Sequence, residues 1–297
     1  MKHPKPIYNV LIVLLTTLFF SCKEKNNVVI INEDTVLADT TYSKTPDAPV
    51  TRKVLVEEFT GATCTNCPDA RQQLKAISDA NPGRIVLIEL HTANHIKGEP
   101  VKYISKYDLR SADAANIFKS IFRGYFPFGS IPNAAIDRVV DGGEILMMRT
   151  NWASIINKRI ATESPIKLTL TNTYDAAKAT GIVKVNVSYT KEISTKNYIS
   201  IAMIENNIID AQEFLDHIDT FYSFQHVFRK SFTPASGAEI LSTIATKEPG
   251  RVYEGSFKYT IDPAWNPENC KIVVWVHNND ASTKEVLQAE EIHVKNP

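Results

Sequence analysis

The sequence lacks an excess of charge of either sign, because 33 lysine and arginine residues balance 33 aspartate and glutamate residues. It has no basic patch or stripe of the kind that binds nucleic acid, and nucleic acid is therefore excluded as a partner. It also lacks a phosphate-cradling glycine loop, a serine-elbow motif and a zinc-protease helix. Beyond the N-terminal region no segment is long and apolar enough to span a bilayer. We therefore expect no other membrane-crossing segment.

The N-terminus has the pattern of an export signal. Lys2 and Lys5 precede the apolar run Val10–Phe20, which is too short to cross a bilayer but suits a signal peptide. Phe19-Phe20-Ser21-Cys22 resembles the lipobox of bacterial lipoproteins, although Phe19 stands where leucine is usual. The resemblance implies cleavage after residue 21 and acylation of Cys22, which would anchor the chain. The alternative is a plain secretory signal with an incidental cysteine.

The chain is longer than one usual domain, and 43% of its residues are hydrophobic, so that two domains with real cores are expected. The predicted organisation is a signal peptide over 1–21, a polar lipid-anchored linker over 22–50, an α/β domain over 51–163 and an all-β domain over 164–297. Within the linker, Val28–Ile31 could pair as a short strand.

The first half alternates strand and helix patterns. An apolar run, a helical repeat of Ala70, Leu74 and Ile77, and a second apolar run predict a βαβ unit. The polar residues Asp69, Arg71, Gln72, Lys75 and Asp79 are expected on the outer faces of that helix. The predicted strands are Lys53–Phe59, Ile85–Leu90 and Ala134–Arg138, and the further helices are Ser111–Phe122 and Thr150–Ala161.

The second half shows strand patterns without a convincing long helix. Seven short runs predict an antiparallel, Ig-like β-sandwich. They are Ile166–Leu170, Val183–Tyr189, Ile199–Ile204, Tyr222–Phe232, Val252–Ile261, Lys271–His277 and Glu285–His293.

Cys64 and Cys67 form a close pair between a buried strand and the start of a helix. The positive helix end and its unpaired N–H groups stabilise a thiolate, which is the nucleophile in thiol chemistry. Pro68 suits the first helical turn. We assign Cys64, as the more exposed cysteine, to attack, and Cys67 to resolve the mixed disulfide. Cys270, beside an apolar strand, is expected to be a buried small hydrophobe.

The segment from Glu58 to Cys67 resembles the active site of the thioredoxin superfamily. The resemblance implies that Glu58 is a buried acid that relays a proton to Cys67, and that Pro132 is a cis-proline opposite the dithiol. Thr63 replaces the usual tryptophan and the central dipeptide Thr65-Asn66 differs from that of thioredoxin, so the redox potential does not carry over. The alternative for Glu57 and Glu58 is a solvated pair at a strand end.

A wider resemblance covers most of the mature chain. The α/β half and three later segments are similar to the lipoprotein family related to the twenty-eight-kilodalton outer membrane protein. The segments are His226–Pro234, Val273–Val276 and Thr283–Ala289. This resemblance implies an outer-membrane lipoprotein on the periplasmic face or the cell surface.

A metal site is the weaker alternative for the dithiol. Cys64, Cys67 and His91, with His95 four residues later, give a nominal cysteine–histidine ligand set for copper or zinc. Otherwise His91 is a packing residue and His95 is solvated. The aromatic residues Phe118, Phe122, Tyr125, Phe126 and Phe128 are expected to pack in the core and in loops. As an alternative, Tyr125–Phe128, just before Pro132, could give partner chains an apolar platform.

Two hypotheses follow from the sequence. The first is a lipid-anchored thiol–disulfide oxidoreductase that needs no cofactor and acts on cysteine pairs of exported proteins. The second is a binding lipoprotein with an unidentified surface partner, in which the Cys64–Cys67 bond is structural. The β-rich half, which a minimal reductase does not need, favours the second, and the position of the cysteine pair favours the first.

Overall fold

The computed structural model describes residues 36–92, 96–123 and 131–295. The predicted signal peptide, Cys22 and the strand expected at Val28–Ile31 lie outside these ranges. His95 and the aromatic residues at 125, 126 and 128 also lie outside them.

The described part of the chain is mostly β-sheet with few helices. The helices are α1 (Cys67–Asp79), α2 (Ala112–Ile117) and α3 (Arg149–Ile160), with a 3-10 turn at Ile96–Gly98 and a π-helical turn at Phe118–Phe122 that continues α2. The strands are β1 (Val36–Ser43), β2 (Val50–Thr51), β3 (Val54–Thr60), β4 (Ile85–His91), β5 (Asn133–Ile136), β6 (Leu146–Met147), β7 (Glu163–Ser164), β8 (Ile166–Asp175), β9 (Thr180–Tyr189), β10 (Asn197–Glu205), β11 (Ile208–Glu213), β12 (Ile218–Phe224), β13 (Val227–Ser231), β14 (Ala238–Ile240), β15 (Arg251–Thr260), β16 (Cys270–His277) and β17 (Val286–His293).

One nine-stranded sheet runs through both halves of the sequence. Its order is β17-β16-β10-β13-β4-β3-β5-β6, with β14 also paired to β10. The pairs β3–β4 and β4–β13 are parallel, and the other pairs in this sheet are antiparallel. A four-stranded sheet, β1-β15-β9-β8, and the two-stranded pairs β11–β12 and β2–β7 complete the β structure.

The boundary predicted between residues 163 and 164 does not separate two sheets. Strand β13, from the second half, pairs with β4, and the Glu89 amide donates to the His226 carbonyl at 2.8 Å. The described residues of both halves accordingly belong to one compact unit. The prediction missed this because the pairing joins strands far apart in sequence, and no local pattern records it.

The two faces of this sheet bury different clusters. In β16, Ile272, Val274 and Val276 pack with residues of the four-stranded sheet, which is a sheet-on-sheet core as in a β-sandwich. Val273 and Trp275 point to the opposite face, in a cluster with α2 and the π-helical turn. The cluster that α1 and α3 form with β3–β5 is separate from both.

Helix α1 forms where its apolar repeat predicts it, with one difference. Ala70 and Leu74 are buried against the sheet as expected. Arg71, predicted on an outer face, is also buried, because charged and polar groups from other elements meet it there.

The linker predicted over residues 22–50 is wrong for Val36–Ser43. This segment is strand β1, which pairs antiparallel with β15 along the edge of the four-stranded sheet. From Asp39 to Ser43 its side chains are exposed, so it lacks the apolar alternation that reveals a half-buried strand.

The single strand predicted at Tyr222–Phe232 is two strands. The chain leaves β12 at Phe224 and enters β13 at Val227, and His226 between them has a left-handed φ of 53°. The break lets β12 pair with β11 while β13 joins the large sheet.

Candidate functional site

The two neighbouring cysteines meet at the first turn of α1. Cys67 is the first residue of the helix and Pro68 follows it, as the sequence predicts. Cys64 lies in the loop before it, where its amide donates to the Gly61 carbonyl and its carbonyl accepts from the Cys67 amide. This tight loop brings the two Cα atoms to 5.4 Å, and the sulfurs form a disulfide.

Both sulfur-bearing residues are buried, which corrects the expectation that Cys64 is exposed. Cys64 is 1% exposed and Cys67 is not exposed. They belong to the same apolar cluster as Phe59 and Phe122, whose rings lie 5.2 Å apart in an edge-on arrangement. Phe122 is therefore a core residue, and Phe118 packs partly buried against the same cluster.

Pro132 lies beside the disulfide. The Ile131–Pro132 peptide bond is cis, and the Ile131 carbonyl oxygen is 3.7 Å from Cys64 Sγ. This neighbourhood follows from the sheet, because Asn133, the next residue, opens β5 and pairs with Phe59 near the end of β3.

The alternative of a solvated Glu57–Glu58 pair is wrong, because both side chains are buried. Glu58 is 2% exposed and stands directly opposite Glu89 in the parallel β3–β4 register. Burial and the nearby Glu89 carboxylate raise the pKa of Glu58 well above its usual range, against the weaker opposite effect of Arg71. Burial and the neighbouring carboxylate therefore both favour the protonated form of Glu58.

Arg71 connects β3, β4 and β11 through its side-chain contacts, and this role was not identified from the sequence. Its Nε lies 3.0 Å from Glu89 Oε2, and its two other nitrogens donate to Gln212 and Thr60 at 2.9 and 2.8 Å. Burial is the largest single effect on Glu89 and opposes its ionisation, but Arg71 together with His91 and His226 outweighs burial and lowers the pKa of Glu89. The available signal was the pair of glutamates in adjacent strands, which needs a cation nearby.

Glu57 points to the other face of the sheet and is paired there. The Arg138 guanidinium donates from Nε and Nη2 to the two Glu57 carboxylate oxygens, each at 2.7 Å. The same guanidinium stacks between Phe122 and Trp275, with centroid distances of 5.5 and 5.6 Å. This bidentate pair is structural, since neither member is exposed to more than a trace of solvent.

The alternative metal site is not assembled. In ranges 36–92, 96–123 and 131–295, no three His, Cys, Asp or Glu side chains are grouped so that they could share a metal ion. Cys64 and Cys67 are bonded to each other, whereas the ligand form of cysteine is the thiolate. His91 instead packs edge-on against Phe224, and its Nε2 lies 3.9 Å from Glu89 Oε2. Burial lowers the pKa of His91, which keeps the ring neutral.

The remaining cysteine agrees with its prediction. Cys270 is unpaired and buried at the start of β16, in the core between the two sheets. Burial raises the pKa of its thiol to about 12. It is a packing residue.

With this geometry in place, comparison with known proteins identifies the family. Residues 119–296, more than half of the chain, match the family described as outer membrane protein Omp28. The chain belongs to the Omp28 family. No curated protein matches this Omp28 chain.

Two solved structures share the fold. HBP35 of Porphyromonas gingivalis superposes with a TM-score of 0.65 at 14% identity, over 84% of this chain and 77% of that one. Protein AGR_C_4864 from Agrobacterium tumefaciens gives a TM-score of 0.50 at 12% identity, over 84% of this chain and 98% of that one. At these identities the likeness concerns the fold alone.

Family membership suggests that this Omp28 protein associates with the outer membrane. None of the helices in the described ranges is both long and apolar enough to cross a bilayer. The disulfide fits an envelope protein, because disulfides persist in oxidising compartments.

Proposed function

We propose that this Omp28 protein is a lipid-anchored envelope protein that exchanges thiols and disulfides with other exported proteins through Cys64 and Cys67. The observation that carries the proposal is the position of the pair. The cysteines occupy the first turn of α1, with Cys64 Sγ beside the carbonyl oxygen that precedes cis-Pro132.

The proposed exchange transfers two electrons. In the reduced protein the Cys64 thiolate attacks one sulfur of a substrate disulfide, which forms a mixed disulfide and releases the other substrate sulfur as a thiolate. Cys67 then loses its proton and attacks Cys64 Sγ. The Cys64–Cys67 bond forms, the second substrate thiolate leaves, and both substrate sulfurs take up protons. A dithiol donor must reduce the pair again, and run in reverse the same steps oxidise a substrate.

Local structure supports these roles. The positive end of α1 favours the Cys64 thiolate. Glu58 is a buried acid whose pKa is raised by burial, and it lies six residues before Cys64, the position that the thioredoxin resemblance assigns to the proton relay. We propose on the same grounds that β3, α1, β4 and β5 form a thioredoxin-like unit within the large sheet.

Burial of the cysteines favours a second candidate function. With Cys64 only 1% exposed, the covering residues must move before a substrate disulfide can reach it. If they do not move, the disulfide is structural and the protein is an envelope binding protein for a surface partner.

Trapping of a mixed disulfide distinguishes the two candidates. We would use the full chain with Cys22→Ser and Cys270→Ser, so that only the pair remains, and then replace either Cys67 or Cys64 by serine. The exchange function predicts that the Cys67→Ser variant forms an adduct with glutathione disulfide much faster than the Cys64→Ser variant, as detected by intact mass. If neither variant reacts while folded and both react in urea, the disulfide is structural.

The lipid anchor has its own test. We expect an alkyne-bearing fatty acid supplied to the cells to label the wild-type protein and to fractionate with it into the outer membrane. The Cys22→Ser variant should lose the label, while Cys270→Ser should keep it. Labelling that survives Cys22→Ser would place the anchor elsewhere.

A further inference from the structure

We propose that the cavity between α1 and the β11–β12 hairpin is a binding site for a small organic ammonium ion, a primary amine carried on an apolar stem. The proposal does not depend on thiol exchange, because the site is present with the disulfide intact and is not lined by either cysteine.

The cavity has the size and lining of a small-molecule site. Its volume is about 700 Å³, within the range of ligand pockets. Leu74 and Leu87 provide aliphatic walls, and Phe214 and Tyr222 of the hairpin provide aromatic ones. An apolar stem would be buried between these side chains, and an aromatic face stabilises a nearby cation.

Charge in the cavity favours a cation. Four carboxyl groups line it, from Glu58, Asp69, Asp79 and Glu89, against the two permanent cations Arg71 and Lys75. Lys75 pairs with Asp79 at 2.6 Å and Arg71 with Glu89 at 3.0 Å. An anion would therefore meet an excess of negative charge, whereas an ammonium ion would offset part of that excess.

One buried carboxyl oxygen in the lining of this cavity, Glu58 Oε1, has no hydrogen-bond partner. This oxygen is inaccessible to solvent, and no cation of the described residues lies within 4.0 Å of the carboxyl group. Arg71 cannot turn to it without leaving Glu89, Gln212 or Thr60. Leaving a buried acceptor unpaired destabilises the protein, and a donor that enters the cavity would recover this loss.

A histidine nitrogen, His226 Nδ1, is a second buried atom without a hydrogen-bond partner in the lining of the cavity. Burial lowers the pKa of His226, so the neutral ring offers one acceptor nitrogen. With the Glu58 and Glu89 carboxyl groups, the lining therefore contains three acceptor groups, the same number as the N–H donors of a primary ammonium.

Binding should release a proton from Glu58. The groups that face its carboxyl are Glu89 on β4, Arg71 on α1 and Tyr222 on β12, with His91 and His226 beside Glu89. Glu89 and Arg71 stay charged, while burial keeps the two imidazoles and Tyr222 neutral. Glu58 is thus the group that changes state when a cation arrives. Below the pKa of Glu58 in the free protein, the affinity should rise as pH increases.

Calorimetry on the full, oxidised chain tests the site. We would titrate hexylammonium, with hexanol as the neutral analogue, at one pH in two buffers of different ionisation enthalpy. We expect hexylammonium to bind at least about tenfold more tightly than hexanol, with release of up to one proton for each ligand bound. Equal binding of the two probes, or no binding of hexylammonium at millimolar concentration, would overturn the proposal.

Variants identify the group responsible. Glu58→Gln preserves the shape of the protonated acid, and it should abolish proton release and weaken hexylammonium binding about tenfold or more. The matched control is Glu192→Gln, an exposed glutamate in the segment before β10, which should leave both quantities unchanged. Thermal melts of each variant establish that it is folded, and proton release by the wild-type protein gives a readout that needs no variant. Proton release that persists in Glu58→Gln would contradict the assignment.

Discussion

Glu57 and Glu58 are consecutive residues whose carboxyl groups lie on opposite faces of the nine-stranded sheet. Glu57 forms a bidentate ion pair with Arg138, whereas Glu58 stands beside Glu89 under α1 without an ion-pair partner among the described residues. Strand geometry alone separates them, because successive side chains point to opposite faces. One carboxyl group is therefore held in a structural ion pair, and the pKa of its neighbour is raised by burial and by Glu89.

The Glu57–Arg138 pair should matter strongly for stability. Glu57→Gln leaves the Arg138 guanidinium buried without its counter-ion, and we expect a loss of about 3–5 kcal/mol in the free energy of unfolding. Urea denaturation measures this loss. The exposed control Glu192→Gln should stay within about 0.5 kcal/mol of wild type.

The double variant Glu57→Gln/Arg138→Met separates pairing from packing. It removes the uncompensated charge, so we expect it to recover part of the stability that Glu57→Gln loses. A double variant less stable than Glu57→Gln would mean that stacking of Arg138 on Phe122 and Trp275 outweighs the charge.

His277 should make the fold sensitive to acid. Its Nδ1 donates to the Asn278 carbonyl, and so Nε2 accepts from the Ser200 hydroxyl, both at 2.9 Å. Burial, reinforced by Arg138, lowers the pKa of His277 from 6.5 to about 3. Between about pH 3 and pH 6.5 the His277 imidazole is therefore protonated more readily in the unfolded chain than in the folded protein. The free energy of unfolding should therefore fall below pH 6.5, by up to about 1.4 kcal/mol per pH unit.

We would measure the free energy of unfolding by urea denaturation between pH 7 and pH 4.5, and compare its slope against pH in the wild-type protein and in the His277→Asn variant. The His277→Asn variant is expected to start less stable and to lose stability less steeply on acidification. Identical slopes for the two proteins would show that His277 is not the group that titrates.

Gly61 is required by a close approach of two backbone segments in front of the cysteine pair. A Cβ atom at this position would lie 1.9 Å from the Lys97 carbonyl oxygen, which also accepts from the Thr63 amide. Gly61→Ala should push the Ile96–Gly98 turn away, lower stability by about 1–3 kcal/mol and speed alkylation of Cys64 in the reduced protein.

Gly83→Ala is the comparison for that prediction. A Cβ there meets nothing within 4 Å, but the left-handed φ of 69° should still cost about 1–2 kcal/mol. We expect it to leave the alkylation rate of Cys64 unchanged. A wild-type alkylation rate in Gly61→Ala would show that this turn does not control access to the sulfur.

The sequence predicts elements whose signal is local. The apolar runs of β3 and β4, the repeat of α1 and the Cys-x-x-Cys pair at its start are all read within a dozen residues. The parallel β4–β13 pairing is different, because it joins Glu89 to Val227 across more than a hundred residues. Edge strand β1 is equally hidden, since its exposed polar side chains carry no period.

The same distinction between local signals and long-range contacts applies to the residues of the candidate site. Glu58 and Pro132 are recognisable through the resemblance to the thioredoxin superfamily, and the structure gives the first its burial and the second its cis bond. Arg71 is not recognisable, because its partners Glu89 and Gln212 come from strands that only the tertiary fold brings to α1. The burial of Cys64 likewise depends on packing and not on sequence position.

The equilibrium reduction potential of the Cys64–Cys67 bond tests the central claim most directly. The full chain with Cys22→Ser and Cys270→Ser would be equilibrated in dithiothreitol redox buffers and quenched with a mass-tagged alkylating reagent. Thiol exchange predicts a midpoint above about −300 mV and, in the reduced protein, fast alkylation of Cys64 below pH 7. A midpoint well below that value, or thiols that react only at high pH, would contradict exchange and leave a structural disulfide.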